Sequence, residues 1–450
     1  MSHISHLRDL LGSDALLISD PNITVSYSRD HAVFAQSASP FAVLLARSTQ
    51  EISTALRYAS EHGIPVVARG AGSGLSGGAN ATANSLVISL EKMNQIITID
   101  AQNLWARVQA GVINLDLDTA AKELGLAYLP DPASRSWSTI GGNVATNAGG
   151  MCCVKYGVTS QHIRALQVVL ASGEIIELGS ATKKGVTTLD LVHLFVGSEG
   201  TLGIVTEITA NLQVRPSPPA TLVATFPTID LASSAAHSLL QYGPSMLEIL
   251  DQTTLQAVEA WHPLGFEIAG AVVLMQLDER KERCEEALLT CARFEMIDGV
   301  FSDDPKDAQD LLRVRQLAYL ALERMGSVLL DDVCVPVGQI CALVQGVENI
   351  AARNNLVIAV FGHAGDGNMH PTIVHDHGDQ EGARRAIVAF GEIIELAQSL
   401  GGTASGEHGI GSIKTNFVHN EVSKEVIEIQ HGIKKLLDPR SILNPGKKLP

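Results

Sequence analysis

The sequence is short of the features that mark metal–sulfur, membrane and nucleic-acid-binding proteins. Its six cysteines form no C-x-x-C pair, which argues against zinc-ribbon and iron–sulfur sites within the chain. No run reaches the roughly 18 uninterrupted apolar residues of a membrane span, and the first residues lack a secretory-signal pattern. We therefore expect a cytoplasmic protein and leave peripheral membrane association open. Acidic residues outnumber basic ones, 48 to 32, which disfavours nucleic acid as a partner.

What is present indicates a well-buried protein of two domains. The chain has 450 residues, 46% of them hydrophobic and only 18% charged, which is too long for one ordinary core. Three prolines within Arg215–Pro219 break both helix and sheet and mark the boundary. We expect a first domain at 1–217, completed by the tail at 441–450, and a second domain at 218–440.

Hydrophobic periodicity and turn residues predict the secondary structure of both domains. In the first, strands are expected at 42–46, 64–69, 86–90, 104–111, 164–171, 174–178 and 203–214, and helices at 49–62 and 114–124. In the second, strands are expected at 221–226, 271–277, 333–337 and 356–361, and helices at 229–241, 279–294, 305–324, 381–400 and 422–437.

A glycine-rich loop follows the strand at 64–69. Within it, Gly72–Gly77 matches G-x-G-x-x-G, the fingerprint of a dinucleotide-binding fold in which a helix follows the loop. The few small and polar residues up to Ser85 leave no room for that helix. A nest of backbone N–H groups around a phosphate suits the loop better, and a purely structural turn is the alternative.

Further glycine-rich segments lie at 140–150 and 197–203. The DPAS sequence at 131–134 precedes the segment at 140–150. Together with KYGV at 155–158 and GSEGTLGI at 197–204, these motifs closely resemble the FAD-binding domain of the vanillyl-alcohol-oxidase (PCMH) superfamily. Within it, the chain resembles the branch of D-lactate dehydrogenases, D-2-hydroxyglutarate dehydrogenases and glycolate oxidase FAD subunits, from about residue 20 to 450. The resemblance implies an α+β protein in which a PCMH-type FAD-binding domain of two α/β subdomains is joined to a C-terminal substrate domain with an antiparallel sheet.

The resemblance also implies which residues contact FAD. They are Arg69, Gly70, Ala71, Gly72, Ser73, Gly74, Ser76, Gly77, Pro130, Ser134, Thr139, Gly141, Gly142, Asn143, Thr146, Asn147, Gly149, Gly150, Gly200, Ile204, Val205 and Asn444. Relatives with covalent flavin carry histidine at the place of Ser73. Because serine cannot form that bond, we expect FAD to be bound non-covalently.

A second group of candidate residues lies in the C-terminal half. Two apolar, strand-like runs flank the turn sequence 364–368, so a hairpin would bring His363 and His370 to face one another. Glu407 and His408 lie in a glycine-flanked loop, and two histidines with one carboxylate suit a divalent metal with open positions. The alternative is ordinary core or turn histidines. In the resembling branch, the positions of His363, His370 and Glu407 ligate a divalent metal, expected here to be Zn or Mn/Fe, and that of His408 is the general base.

The substrate carboxylate requires a cation. Arg315 matches the family arginine that precedes the D-V-x-V-P motif at 332–336, although Arg313 could be mistaken for it. Leu330 and Tyr319 replace the lysine and threonine of relatives that use a dicarboxylate. We therefore expect a small D-2-hydroxy acid, D-lactate or glycolate, to be oxidised to the 2-oxo acid.

Two alternative functions remain at this point: D-2-hydroxyglutarate dehydrogenase-like activity, and a non-redox flavoenzyme resembling alkyl-glycerone-phosphate synthase. The electron acceptor (a quinone, a cytochrome or a flavoprotein) is not specified by the sequence. A homodimer or an iron–sulfur partner subunit is compatible with the resemblance.

Overall fold

The computed structural model of the protein describes residues 3–266, 269–278 and 281–450. The chain divides into two units. Unit 1 comprises Met1–Gly150, Val158–Arg215 and Glu407–Pro450, and unit 2 comprises Met151–Gly157 and Pro216–Gly406. The returning segment of unit 1 thus begins 34 residues before the expected position 441, because the last helix packs its Ile433 and Leu437 against the unit 1 core.

The strands, in chain order, are β1 Leu17–Ile18, β2 Ala42–Leu45, β3 Val66–Arg69, β4 Leu86–Ser89, β5 Ile96–Asp100, β6 Trp105–Gln109, β7 Leu126–Ala127, β8 Ile163–Val169, β9 Ile175–Gly179, β10 Ile204–Asn211, β11 Gln213–Val214, β12 Ala220–Phe226, β13 Met246–Asp251, β14 Ala271–Leu277, β15 Asp298–Ser302, β16 Ser327–Leu330, β17 Val333–Cys334, β18 Val357–His363 and β19 Asn368–His375.

The α-helices are α1 His3–Leu11, α2 Pro21–Thr24, α3 Thr49–His62, α4 Asn114–Lys122, α5 Ile140–Thr146, α6 Cys153–Tyr156, α7 Val192–Phe195, α8 Ile229–Leu239, α9 Gln252–Trp261, α10 Lys281–Cys291, α11 Pro305–Leu311, α12 Arg313–Glu323, α13 Ile340–Asn354, α14 Gln380–Ser399 and α15 Lys424–Leu437. None of these helices, in the part of the chain that the structure describes, is long and apolar enough to cross a membrane.

Unit 1 contains two main sheets. The first has the order β1-β2-β4-β3, with β2, β4 and β3 parallel to one another. Helix α3 connects β2 to β3: the Ser48 hydroxyl accepts a hydrogen bond from the Glu51 N–H (3.2 Å), and Gly63 ends the helix in a left-handed conformation. The second sheet is antiparallel, with the order β5-β6-β10-β8-β9. Apolar side chains between these elements form the unit 1 core.

Unit 2 is built on one antiparallel sheet of eight strands. Its order is β15-β12-β14-β13-β18-β19-β16, and β17 also pairs with β19. The expected α+β fold with an antiparallel sheet in the second domain is confirmed. The β18–β19 hairpin and its neighbour β13 lie in the middle of this sheet, where both faces are buried.

The structure departs from the predicted elements in two main ways. The helix expected at 305–324 is two helices, α11 and α12, which meet at Leu312. Residues 279 and 280, the predicted start of the helix at 279–294, lie outside the described residues. In addition, several elements were not predicted, among them α1, β5, β13, α9, β15, β16 and α13. Strand β13 is a short apolar run whose one acidic interior residue, Glu248, conceals its strand pattern.

Candidate active site

A polar cluster lies on one face of the unit 2 sheet, across the three neighbouring strands β13, β18 and β19. The register pairs Glu248 with His363, and Phe361 with His370. Because alternate residues of a strand share a face, Glu248, His363 and His370 all project to the same side. The sheet therefore brings the two predicted histidines together with a carboxylate that the sequence analysis did not single out.

The two histidines face each other through their Nε2 atoms. These atoms are 3.3 Å apart, and both side chains are about 5% exposed. Two imidazole nitrogens bound to one metal at about 2.0–2.1 Å in tetrahedral geometry would also lie about 3.3 Å apart. The spacing thus fits a shared metal ion as well as it fits a hydrogen bond between the rings.

Glu248 decides which nitrogen of His363 is available. Its Oε1 lies 2.5 Å from Nδ1 of His363, so the Nδ1–H donates to the carboxylate and the lone pair stays on Nε2. A carboxylate behind a histidine is the usual outer partner of a metal ligand. The donor set of this cluster therefore fits a borderline divalent metal.

The environment of Glu248 keeps its carboxylate ionised. Complete burial by itself raises its pKa, but the neighbouring His363 and Arg315 outweigh burial and hold the pKa at about 2. Arg315 Nε lies 2.5 Å from Glu248 Oε2, and the Arg315 guanidinium carbon lies 4.7 Å from the centroid of the Phe361 ring. Among the described residues, Arg315 makes no other ion pair, whereas Arg313 is exposed.

Two further polar residues border the histidines. The carboxylate of Asp332, which is buried, has Oδ1 3.9 Å from Nδ1 of His370 and accepts a hydrogen bond from the Ser405 hydroxyl at 2.7 Å. Asn368 pairs with His363 in the hairpin register, and its Oδ1 is a buried acceptor with no hydrogen-bond donor among the described residues. Asp332 was quoted from the sequence only as part of a motif.

Tyr319 and Leu330, the positions at which dicarboxylate-using relatives differ, both pack against the apolar core of unit 2. Burial raises the pKa of Tyr319, with Glu323 as the second cause. A phenol and an isobutyl group offer no second cation.

The glycine-rich loop of unit 1 runs from β3 to β4 without a helix, as expected. Gly72 and Gly77 have φ of 76° and 77°, which favours glycine. A Cβ on Gly70 would overlap the hydroxyl of Thr139, so this loop and the second glycine cluster touch. The second cluster itself is a short helix, α5, which Thr139 caps by accepting from the Gly142 N–H at 3.2 Å.

The remaining predicted flavin contacts also lie in unit 1, in four groups. Arg69 ends β3, and Ala71, Ser73, Gly74 and Ser76 belong to the loop that follows it. Pro130 and Ser134 precede α5, and Gly141, Asn143, Thr146, Asn147, Gly149 and Gly150 form or follow that helix. Gly200 precedes β10, and Ile204 and Val205 are its first two residues. The Asn143 amide is occupied within the protein, since its Oδ1 accepts from Asn114 Nδ2 at 3.2 Å and its Nδ2 donates to the Ser138 hydroxyl at 3.3 Å.

The C-terminal tail joins the same region. Leu443 bridges to Val66 of β3, and Asn444 Nδ2 donates to the carbonyls of Gly78 (2.9 Å) and Glu199 (2.6 Å). Lys447 lies behind Asn444, donating to its Oδ1 at 2.9 Å, and burial lowers the pKa of Lys447 to about 8 against the raising effect of Asp30 and Glu199. The tail is thus hydrogen-bonded to the first glycine loop through Asn444 and Gly78.

Glu407 and His408 are the first two residues of the returning segment of unit 1, Glu407–Pro450. Their Oε1 and Nε2 atoms are 3.9 Å apart. The loop behind them is anchored to the glycine clusters: Ile410 and Gly411 donate their N–H groups to the Glu199 carboxylate at 2.9 and 2.7 Å. Glu199, a left-handed residue in the GSEGTLGI segment, was not predicted as a site residue.

Comparison with known proteins identifies two families whose models the chain matches. Residues 40–179 match the family described as FAD binding domain, and residues 215–448 match FAD linked oxidases, C-terminal domain. The chain belongs to the FAD-linked oxidase family. It is 42% identical to glycolate oxidase subunit GlcD of Bacillus subtilis over 94% of this chain and 91% of that protein. It is 35% identical to D-lactate dehydrogenase of Anaerostipes hadrus over 96% and 94%.

Solved structures share the fold at low identity. P-cresol methylhydroxylase superposes with a TM-score of 0.78 at 18% identity, covering 99% of this chain and 96% of that one. Alkyldihydroxyacetonephosphate synthase superposes with a TM-score of 0.75 at 17% identity, covering 99% and 85%. The expected PCMH-type fold is confirmed, and the protein is an FAD-linked oxidoreductase of the glycolate oxidase and D-lactate dehydrogenase type.

Proposed function

We propose that the protein oxidises a small D-2-hydroxy acid, D-lactate or glycolate, to the corresponding 2-oxo acid. The observation that carries the proposal is the pair His363 and His370 on one buried sheet face, with their Nε2 atoms 3.3 Å apart, linked through Glu248 to Arg315 of helix α12. Relatives named glycolate oxidase subunit and D-lactate dehydrogenase support the substrate class. The apolar surroundings of Tyr319 and Leu330 favour a substrate with a single carboxylate over 2-hydroxyglutarate.

His363, His370 and Glu407 would hold the divalent metal, and the glycine clusters of unit 1, with Asn444, would hold FAD without a covalent bond. FAD held there would supply the hydride acceptor for the substrate Cα hydrogen, and a divalent metal would supply a Lewis acid for the substrate hydroxyl. The tautomer of His363 that Glu248 favours and the left-handed glycines of the FAD loop are the features of this chain that fit the two groups.

The chain's own residues supply orientation and proton transfer. Arg315 uses Nε for Glu248, so its terminal amino groups remain to grip the substrate carboxylate by two points. His408 takes the proton of the substrate hydroxyl as general base. Two electrons and the Cα hydrogen leave as hydride and one proton goes to His408, which balances the conversion of CH–OH to C=O.

The test is anaerobic mixing of the purified, FAD-loaded protein with D-lactate, glycolate, L-lactate and D-2-hydroxyglutarate in turn. Loss of the flavin absorbance near 450 nm with D-lactate or glycolate, and not with 2-hydroxyglutarate, is the expected result. If no 2-hydroxy acid bleaches the flavin, the proposal is wrong. Metal analysis of the same sample tests the divalent ion.

Because relatives are named as a subunit, we propose further that the electrons pass to an external acceptor and that a partner subunit takes part in vivo. An assay of the isolated chain with an artificial dye acceptor tests whether the chain needs a partner subunit to pass on its electrons. Activity with the dye and none with oxygen or a quinone analogue is expected if a partner is needed.

A further inference from the structure

We propose that Glu248 is a positioning residue that couples the two halves of the polar cluster, holding His363 with one carboxylate oxygen and Arg315 with the other. The inference rests on the proposed function, in which His363 binds the metal and Arg315 the substrate. It adds a residue that neither the motifs nor the resemblance pointed to. Glu248 does not itself contact the reacting atoms in this scheme; it acts through its two partners.

The position of Glu248 makes an accidental ion pair an insufficient explanation. The residue lies in the interior of β13, in the centre of the sheet, and its side chain is 0% exposed. Burying a carboxylate costs several kcal/mol unless it is paired and hydrogen-bonded. Here one carboxylate meets two basic groups, each at 2.5 Å, which compensates the burial.

The first contact sets the chemistry of His363. Both residues are fixed by the sheet, since Glu248 and His363 are cross-strand partners in the β13–β18 register. Their side chains therefore meet without help from a loop. The Nδ1–H donates to Glu248 Oε1, so Nε2 carries the lone pair and points toward His370 Nε2. An imidazole held in this way binds a metal more tightly than one that must choose its tautomer.

The second contact sets the orientation of Arg315. The guanidinium is held at Nε by Glu248 Oε2 and on its face by the Phe361 ring, whose centroid is 4.7 Å away. Helix α12 contributes Arg315, and β18 contributes Phe361. A planar group held at one edge and one face presents its remaining edge in a fixed direction, as two-point carboxylate binding requires.

The hydrogen-bond polarity explains why glutamine cannot replace Glu248. Both His363 Nδ1–H and Arg315 Nε–H are donors, and the carboxylate offers two acceptor oxygens. A glutamine offers one acceptor oxygen and one NH2 group, so one of the two donors would face another donor. The Glu248→Gln substitution therefore either releases one of the two partners or forces His363 into the tautomer with its proton on Nε2, where it can no longer bind a metal, although it conserves size.

The test compares Glu248→Gln with Asp251→Asn in the full-length, FAD-loaded protein. Asp251 lies three residues further along β13, is buried, and accepts hydrogen bonds from the Thr254 N–H (2.8 Å) and the Val360 N–H (2.9 Å). The Asp251→Asn variant therefore replaces a buried, hydrogen-bonded carboxylate of the same strand, as Glu248→Gln does, but leaves the polar cluster unaltered. Zn²⁺ is titrated by calorimetry into metal-stripped protein, and KM and kcat are measured with the 2-hydroxy acid that bleaches the wild type.

We expect Glu248→Gln to weaken Zn²⁺ binding by about 10- to 100-fold, or to raise KM by a similar factor, and Asp251→Asn to leave both unchanged. Glu248→Asp, which is one methylene too short to reach both partners, should weaken the same quantities and serves if the glutamine variant does not fold. Equal Zn²⁺ affinity and equal KM in wild type and either folded Glu248 variant would overturn the inference. A wild type that binds no Zn²⁺ and is bleached by no 2-hydroxy acid would instead overturn the proposed function.

Discussion

Replacing Arg315 by lysine tests whether its guanidinium is the substrate anchor. In the structure, Glu248 holds Arg315 at Nε, 2.5 Å from Oε2, and the Phe361 ring supports its face. A lysine would keep the positive charge, but it has a single nitrogen in place of three. It therefore cannot bond Glu248 and grip a substrate carboxylate by two parallel hydrogen bonds at once.

The expected loss is about one charge-assisted hydrogen bond to the substrate. Such a bond contributes about 1.5–3 kcal/mol, which corresponds to a rise in KM of about 10- to 150-fold. The effect should appear mainly in KM, because the substrate carboxylate is bound alike before and during hydride transfer and takes no part in the bond changes. Steady-state kinetics with a dye acceptor measures it, with thermal melting as a check on folding.

The chain supplies a matched control in Arg313, which lies two residues away on the same helix and is exposed. Arg313→Lys should leave KM and kcat unchanged. The reasoning would be refuted if Arg315→Lys had the KM of the wild type, or if both lysine variants raised KM equally. The second outcome would mean that helix charge, rather than the position of one guanidinium, governs substrate binding.

Three further predictions concern the flavin loop and the β13 strand. Acid precipitation should release all FAD into the supernatant, because Ser73 cannot form the covalent bond of relatives with histidine at its place; flavin left in the pellet would contradict this. Gly70→Ala should weaken FAD binding, because the added Cβ would overlap the Thr139 hydroxyl; strain of about 1–3 kcal/mol corresponds to a loss of about 5- to 150-fold in affinity. Fluorescence titration measures the affinity, and the control Gly432→Ala, with open space around its Cβ position, should leave it unchanged. Burial raises the pKa of Asp251 from 3.8 to about 6, so the native state binds the extra proton and the free energy of unfolding should fall by about 2 kcal/mol as pH rises from about 4 to 6. Urea unfolding of wild type against Asp251→Asn tests this, and a difference between the two that stays constant over this range would contradict it.

The sequence predicted those parts of the fold whose cause is local. Helix α3 begins and ends where its capping residues, Ser48 and Gly63, place it, and β14 has the predicted bounds. The rejection of a helix after the G-x-G-x-x-G match also holds, because it depended only on the number and polarity of residues before β4. The break between α11 and α12 was not predicted, because the residue at the break is a leucine, Leu312, and no proline or glycine marks the position.

Residues that meet only through strand register were harder to predict. The hairpin turn at 364–367 was visible in its own residues, so the approach of His363 and His370 could be anticipated. Glu248, by contrast, lies more than 100 residues before His363, in a strand that was not predicted at all. A single acid inside the apolar run Met246–Asp251 was the available signal, because a buried carboxylate requires partners.

Strand register is the means by which this antiparallel sheet builds a polar site inside an apolar core. Strands β13, β18 and β19 each contribute at least one polar residue to the same face, and the register places Glu248 beside His363, so that the carboxylate and the imidazole meet across strands. Shifting β13 by one residue would turn Glu248 to the opposite face and leave its charge buried without either partner. That penalty, several kcal/mol for an uncompensated buried carboxylate, favours a single register. The same ion pairs that orient His363 and Arg315 therefore also select the strand alignment on which the proposed site depends.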